Sequence, residues 1–364
     1  MGEPHGIGIV GLGVISAQYL KTLGSHPAVR IAATADLDMA RAAEVADRFP
    51  GCRALTVEEL VADPSVQTVL NLTIPAAHAE VALAALSHGK DVYGEKPLAA
   101  TLDAARTVMD ATGSAWVGCA PDTVLGTGIQ TARAVVDGGG IGRPVAATAS
   151  WVSPGHESWH PHPDFYYRDG GGPLLDMGPY YLTSLVHLLG PVARVSGASS
   201  RPKEVRRIAS GPRAGEQIPV EVDTHVTGVL EHVGGALSTV TFSFDAVDSG
   251  AAPLEIHGET ASLSLPDPNM FDGEVRMRRI GDAGWSPVQE RAGYENAGRG
   301  IGLLDHVTGR GSRASGEVAL HVLEVMTALL ASAREGRRLD LTTTAERPPL
   351  VPFTPYEEWT RLSS

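Results

Sequence analysis

Gly94, Glu95, Lys96 and Pro97 put a carboxylate and a lysine at the end of an apolar, strand-like run, Asp91-Val92-Tyr93. Proline restricts the backbone of the residue before it and supplies no donor, so Lys96 is held in a fixed direction. At the carboxyl end of a strand in an open α/β sheet, a lysine faces the crevice where ligands bind and can exchange a proton with one. A second group lies in Gly170 to Thr183. Its first three glycines form a flexible entry, and Leu174 to Leu189 then has helical periodicity, with Asp176 and Tyr180 one turn apart on a face continued by Thr183 and His187. On spacing alone Asp176 reads first as a charge in the opening turn of a helix. Paired with the other motifs, it reads as an acid beside a phenol, able with a lysine from another domain to pass a proton to or from a hydroxyl.

The elements that must position Lys96 start at the amino terminus. Gly6 to Val10 reads as a short buried strand, followed by Gly11-Leu12-Gly13-Val14-Ile15-Ser16 and a helical run to about Leu23. This is the dinucleotide fingerprint with serine in place of the third glycine. Gly11 permits the tight turn, Gly13 lets a pyrophosphate approach the backbone, and the free amides at the helix start, around Val14 and Ile15, bind its charge. Ser16 is small enough for the helix to lie on the strand. The next strand, Val29 to Ala35, ends in Asp36, placed to accept hydrogen bonds from both adenosine ribose hydroxyls and to repel a phosphate. NAD is therefore expected over NADP, with Asp38 nearby blurring the assignment.

A chain of 364 residues suggests two domains. Strand and helix signals alternate to about Cys119: helices at Asp38 to Arg48, Pro75 to His88 and Thr101 to Thr112, strands at Val66 to Leu72 and Ala115 to Cys119. That alternation implies a doubly wound parallel sheet. After a helix at Ile129 to Asp137, the chain from Arg194 to Ile280 reads as strands linked by turns: Val220 to Leu230, Ala236 to Phe244, Leu254 to His257 and Ala261 to Leu265. A mainly antiparallel open sheet is expected there, then a long helix, Gly316 to Glu335. The expected domains are an NAD-binding Rossmann domain over 1–121, a substrate-binding and oligomerisation α/β domain over 122–345, and a tail over 346–364. The net charge of −13 and a pI near 5.4 argue against nucleic acid or an anionic membrane as partner. The only cysteines, Cys52 and Cys119, build no disulfide framework. No leader peptide and no run of membrane-spanning length is read, so a cytoplasmic protein with a small-molecule substrate is expected.

The three signatures, Gly11 to Ser16, Gly94 to Pro97 and Gly170 to Thr183, in this order, resemble the glucose-fructose oxidoreductase, inositol dehydrogenase and rhizopine-catabolism (Gfo/Idh/MocA) family. The resemblance implies a Rossmann domain, a carboxy-terminal α/β domain whose sheet often forms the oligomer interface, and oxidation of a sugar or cyclitol hydroxyl, or its reverse, with a nicotinamide cofactor. Residue by residue, it makes Lys96 the catalytic lysine, Glu95 the nicotinamide-side carboxylate and Asp176 the substrate-binding acid. It makes Thr73, Pro75 and His78 the loop bordering the cofactor, although His78 reads equally as a packing residue at a helix start. Many relatives have histidine and a second acid where this chain has Tyr180 and Thr183, so proton transfer falls to Tyr180 or to Lys96, and sequence does not choose. A phenol's ordinary pKa near 10 must fall for it to act as a base near neutrality.

Trp151 to Asp169 holds Trp159, His160, His162, Phe165, Tyr166, Tyr167 and Arg168, a density of rings and imidazoles that suits a sugar pocket, with Trp159 and His160 expected at the substrate. His156, His160 and His162 lack a spacing that completes a metal site, and no metal is expected. The expected protein is an NAD(H)-dependent oxidoreductase of a secondary hydroxyl or ketone in a sugar, cyclitol or glycoside, assembled as a homodimer or homotetramer. An NAD-dependent glycosidase that oxidises a ring hydroxyl transiently, and a silent NAD-binding sensor, are the alternatives.

Overall fold

The computed structural model describes residues 3–361. They form two compact units: the chain up to Thr127 with Ala292–Leu320 and the chain from Pro348 make the first, and Gly128–Arg291 with His321–Arg347 the second. The first unit is therefore discontinuous, where a linear division at 121 and 345 puts 292–320 in the second domain. Segment 292–320 has a physical reason to stay with the first unit. It gives the buried Asp122 carboxylate its amide donors, Gly300 N–H at 2.8 Å and Gly302 N–H at 3.1 Å, and Ser315 bridges to Gly118.

In the first unit the chain runs β1 (His5–Val10), α1 (Ser16–Leu23), β2 (Val29–Ala35), α2 (Met39–Ala46), β3 (Arg53–Ala54), α3 (Val57–Ala62), β4 (Thr68–Asn71), α4 (Pro75–Ser87), β5 (Asp91–Gly94), α5 (Leu102–Asp110) and β6 (Val117–Cys119). The strands pair in parallel in the order β3-β2-β1-β4-β5-β6. Strands covered on both faces are continuously apolar, which is why β1 and β4 read as short buried runs. Strand order reverses between β1 and β4, and ligands of open α/β sheets bind beyond the carboxyl ends at such a point. Helix starts follow their caps: the Asp38 carboxylate accepts from Ala40 N–H, Thr56 and Glu59 form a reciprocal capping box, and Thr101 accepts from Ala104 N–H.

The second unit contains α6 (Thr127–Asp137), β7 (Pro144–Val152), α7 (Pro173–Leu189), β8 (Val192–Ser200), β9 (Val205–Arg207), β10 (Gln217–Pro219), β11 (His225–His232), β12 (Leu237–Ser243), β13 (Leu254–Gly258), β14 (Ala261–Leu265), β15 (Arg276–Arg279), β16 (Ser286–Pro287), α8 (Gly316–Glu335, entered from the first unit) and β17 (Leu339–Asp340). Nine strands form one sheet, β16-β15-β14-β13-β7-β12-β11-β8-β17, antiparallel throughout except for β7 beside β12. The central strand β7 went unread because Ala146, Ala147, Ala149 and Ser150 carry little apolar contrast. The expected strand Val220 to Leu230 starts only at His225. Val220 N–H is instead bonded to Glu204 and Glu221 N–H to Tyr167, which hold that segment off the sheet.

One face of the sheet is covered by α7 and α8. Tyr181 meets Phe242 edge-on, with ring centroids 5.6 Å apart. At Gly197 a Cβ would lie 2.3 Å from the Leu329 carbonyl oxygen, so only glycine lets α8 pass this close. Among the described residues α8 is the one helix long and apolar enough to cross a membrane, with mean hydropathy 1.4, yet it buries His321 and Glu324, as a core helix does. The His321 ring accepts Val192 N–H on Nε2 at 2.9 Å and meets Thr343 Oγ1 through Nδ1 at 2.9 Å. Burial holds its pKa down at about 4, against a partial upward pull from Glu324.

Because the folded state disfavours imidazolium, His321 contributes its full stability above the unfolded value near 6.5 and loses it as pH falls towards 4. The contribution is at most about 3 kcal/mol. Urea unfolding should show wild type losing more stability than His321→Gln between pH 6.5 and 4.5. Identical losses would remove His321 as the acid-sensitive group.

Candidate active site

The first unit gathers the expected cofactor residues at the carboxyl ends of β1, β2, β4 and β5. Gly11 has φ 87°, and a Cβ there would fall 2.8 Å from the Leu72 carbonyl and the Thr73 nitrogen, so β1 and β4 converge only on glycine. A Cβ at Gly13 would meet nothing within 4 Å. Ile15 precedes α1 without any side-chain cap, and in the first turn Ser16 N–H is bonded to the Gly13 carbonyl and Gln18 N–H to the Ile15 carbonyl, both at 3.0 Å. Val14, at the tip of the turn, is exposed, while Ser16 is buried and its hydroxyl donates to the Gly13 carbonyl at 2.7 Å.

Asp36 accepts Leu12 N–H at 2.7 Å and Asp38 N–H at 2.9 Å, so the carboxylate also braces the glycine turn. The half-exposed Arg41 guanidinium lies 3.4 Å from it. Asn71, at the end of β4, accepts the Thr73 hydroxyl at 2.6 Å, and Pro75 opens α4. His78 is a buried strut, its Nδ1 2.6 Å from the Pro97 carbonyl and its Nε2 3.0 Å from the Thr73 carbonyl. Glu95 is buried too, accepting the Tyr19 hydroxyl at 2.7 Å and Lys96 N–H at 3.0 Å, which ties α1 to the turn carrying the half-buried lysine. The Lys96–Pro97 peptide is cis. Sequence reasoning missed Leu37 and Ile74, fully and 69% exposed just past the ends of β2 and β4, where large apolar side chains suit the faces of a purine. Their signal was available: each directly follows a residue already singled out. The open backbone at Gly13, a helix start with no side-chain cap, Asp36 and these apolar flanks fit a nicotinamide dinucleotide.

In the second unit, Asp176 and Tyr180 lie one turn apart near the start of α7, Asp176 half-buried and Tyr180 buried. The partner of Asp176 was not anticipated. His156, in a single 3-10 turn (His156–Ser158), brings Nε2 to 2.8 Å from Asp176 Oδ2. Rings surround this imidazole: Tyr166, Phe244, Trp159 and Trp151 have centroids 4.3, 4.8, 5.3 and 5.8 Å away. Trp159 and His160 thus belong to one aromatic cluster with His156, and Phe165 extends it to the surface. Burial lowers the His160 pKa, with His156 and His162 adding to the effect.

This loop is clamped from beneath. The Arg206 side chain is 1% exposed and donates to Glu157 at 2.9 Å, Asp245 at 2.5 Å and the Phe244 carbonyl at 3.0 Å. Tyr167 donates its hydroxyl to the same Glu157, and burial with that hydrogen bond pushes the phenol's pKa well up. Among the described residues, no group of three His, Cys, Asp or Glu side chains is arranged to hold a metal ion.

A parallel sheet of this order with its fingerprint turn is a dinucleotide-binding fold, and the second unit carries a mixed open sheet. Residues 5–119 match the model described as an oxidoreductase family with an NAD-binding Rossmann fold, and residues 129–264 the GFO/IDH/MocA C-terminal domain. The chain belongs to the GFO/IDH/MocA family of oxidoreductases. It is 30% identical over 268 residues to dTDP-3,4-didehydro-2,6-dideoxy-alpha-D-glucose 3-reductase of Streptomyces antibioticus, covering 71% of this chain and 80% of that protein. It is 26% identical over 358 residues to 1,5-anhydro-D-fructose reductase of Ensifer adhaerens, covering 92% and 98%. The fold matches levoglucosan dehydrogenase in complex with NADH and L-sorbose at a TM-score of 0.76 and 21% identity, over 94% of this chain and all of that one.

Proposed function

We propose that this chain is a cytoplasmic NAD(H)-dependent oxidoreductase of a secondary hydroxyl or ketone in a sugar or cyclitol. Asp176 carries the reading: a hydrogen-bonded carboxylate in the first turn of a helix, beside a cluster of rings, combines an acceptor for hydroxyls with surface for the apolar face of a sugar. Relatives whose names specify an anhydro sugar and a didehydro sugar nucleotide support it. The nicotinamide, when bound, supplies the acceptor or donor of the hydrogen on carbon. Lys96 and Tyr180 take or return the hydroxyl proton, Asp176 orients hydroxyls, and Trp159 and His160 contact the ring. On the cofactor side, Gly11, Gly13, Val14 and Ile15 serve the pyrophosphate, Asp36 the ribose, and Thr73, Pro75, His78, Glu95 and Lys96 the nicotinamide end.

A panel of sugars, cyclitols and glycosides followed by NADH absorbance tests the activity; glycoside cleavage without net NADH would favour the glycosidase instead. Lys96→Ala should lower turnover about a hundredfold to ten-thousandfold while leaving NADH binding largely intact. Tyr180→Phe should match that loss if the phenol carries the proton, and should otherwise mainly raise KM. Near wild-type turnover in Lys96→Ala would overturn the mechanism.

Asp36 should make NAD bind more tightly than NADP, with Arg41 limiting the difference because its guanidinium neutralises the carboxylate and can itself meet a phosphate. Titration of both cofactors should show the preference narrowing in Asp36→Ala and widening in Arg41→Ala. A wild type that prefers NADP would reverse the assignment.

The sheet face opposite α7 and α8 exposes Val229, Leu237, Thr148 and Thr239, and we assign assembly as a homodimer or homotetramer to it. Light scattering at micromolar concentration should find the oligomer; a monomer would refute this.

A further inference from the structure

His156 has a hydrogen-bonding inventory that ordinary packing does not explain. Nε2 meets Asp176 Oδ2 at 2.8 Å, while Nδ1 is buried and has no partner among the described residues. The residue is 7% exposed. A doubly protonated ring would strand an N–H at Nδ1, and a proton on Nδ1 alone would set the Nε2 lone pair against a carboxylate oxygen. The neutral ring protonated on Nε2 leaves only a lone pair unmet, the least costly of the three.

His156 is also fixed independently of Asp176. Its carbonyl accepts Trp159 N–H at 3.2 Å and His160 N–H at 2.8 Å. The next residue, Glu157, is gripped by Arg206 and Tyr167 through its side chain, and its carbonyl accepts Ala209 N–H at 2.9 Å. Tyr166 and Phe244 pack on the imidazole. The direction of control therefore runs from His156 to Asp176. A carboxylate on a single-bonded side chain is turned and held by a donor that cannot move.

We propose that His156 is a positioning residue of this site: its imidazole donates Nε2–H to Asp176 and holds the carboxylate in an orientation that receives a substrate hydroxyl. The inference rests on the sugar-oxidoreductase reading of Asp176. It assigns a role to an imidazole twenty residues upstream of the acid it serves.

On the best substrate of the panel, His156→Leu should lower kcat/KM about tenfold to a hundredfold, the range for a misplaced orienting group, with NADH affinity and melting temperature near wild type. His156→Gln, whose amide can restore the donor, should recover most of the loss. In the background of Asp176→Asn, His156→Leu should add nothing, because it acts through the lost carboxylate. The proposal is overturned if His156→Leu stays within twofold of wild type, if Gln is as poor as Leu, or if the two losses multiply. Should Asp176→Asn itself leave kcat/KM unchanged, the reading of Asp176 fails rather than the pairing. Nitrogen-15 imidazole spectra of the folded protein decide the pairing without any substrate, and also if His156→Leu does not fold. A ring protonated on Nε2, with a signal that moves in Asp176→Asn, upholds it; a proton on Nδ1 alone overturns it.

Discussion

Arg206 is the charge on which the second unit's site depends. A guanidinium buried to 1% exposure, with two carboxylates and backbone carbonyls around it, trades a large desolvation cost for several charge-assisted bonds, although its Nε finds no acceptor. Glu157 on one side belongs to the 3-10 turn that carries His156; Asp245 on the other lies just past β12 and also accepts the Thr224 hydroxyl at 2.6 Å. The clamp thus ties a loop with little regular structure to the rigid sheet. Removing one member of such a buried set costs about 3–5 kcal/mol, because the remaining charges stay buried and uncompensated. A loop that is so costly to displace can aim an imidazole at Asp176.

In the first unit the turn that carries Lys96 is braced by hydrogen bonds from neighbouring elements. Lys96 sits on a turn after β5, and its direction is set by Pro97, by Glu95 locked between Tyr19 and its own backbone, and by His78 spanning to the Pro97 carbonyl. Each brace links a different element to the turn: α1 through Tyr19, α4 through His78. Asp36 likewise does two things, bracing Leu12 in the fingerprint turn while standing at the end of β2. A substitution there therefore alters the glycine turn as well as the end of β2, and losses in such variants combine both effects.

Much of this was legible in the sequence because the relevant physics is local. A left-handed turn requires Gly11, an apolar strand buried on both faces reads as a continuous run, and caps such as Asp38 and Thr101 mark helix starts. Helix α7 lies within a residue of its expected start because glycine before it and periodicity within it are local signals. The second sheet was readable as mostly antiparallel, but not in its order. Strand β7 is made of small residues whose strand character comes from neighbours on both sides, and it pairs with β12, whose sequence lies far downstream. Val220, by contrast, is apolar and buried for a different reason, packed with Tyr167, Ile208, Ile218 and Phe244 rather than in a strand.

The same distinction explains which site residues were found. Asp176 and Tyr180 share a helix face by their spacing, so one dimension of information sufficed. His156 was visible as one of three histidines in an aromatic loop, and a sequence can say that such a loop suits a sugar, but not which ring meets which acid. That pairing depends on Arg206, Tyr167 and Asp245, none of which is adjacent in sequence to the groups it aligns. Local patterns identify groups capable of chemistry, whereas long-range polar clusters bring two of them together.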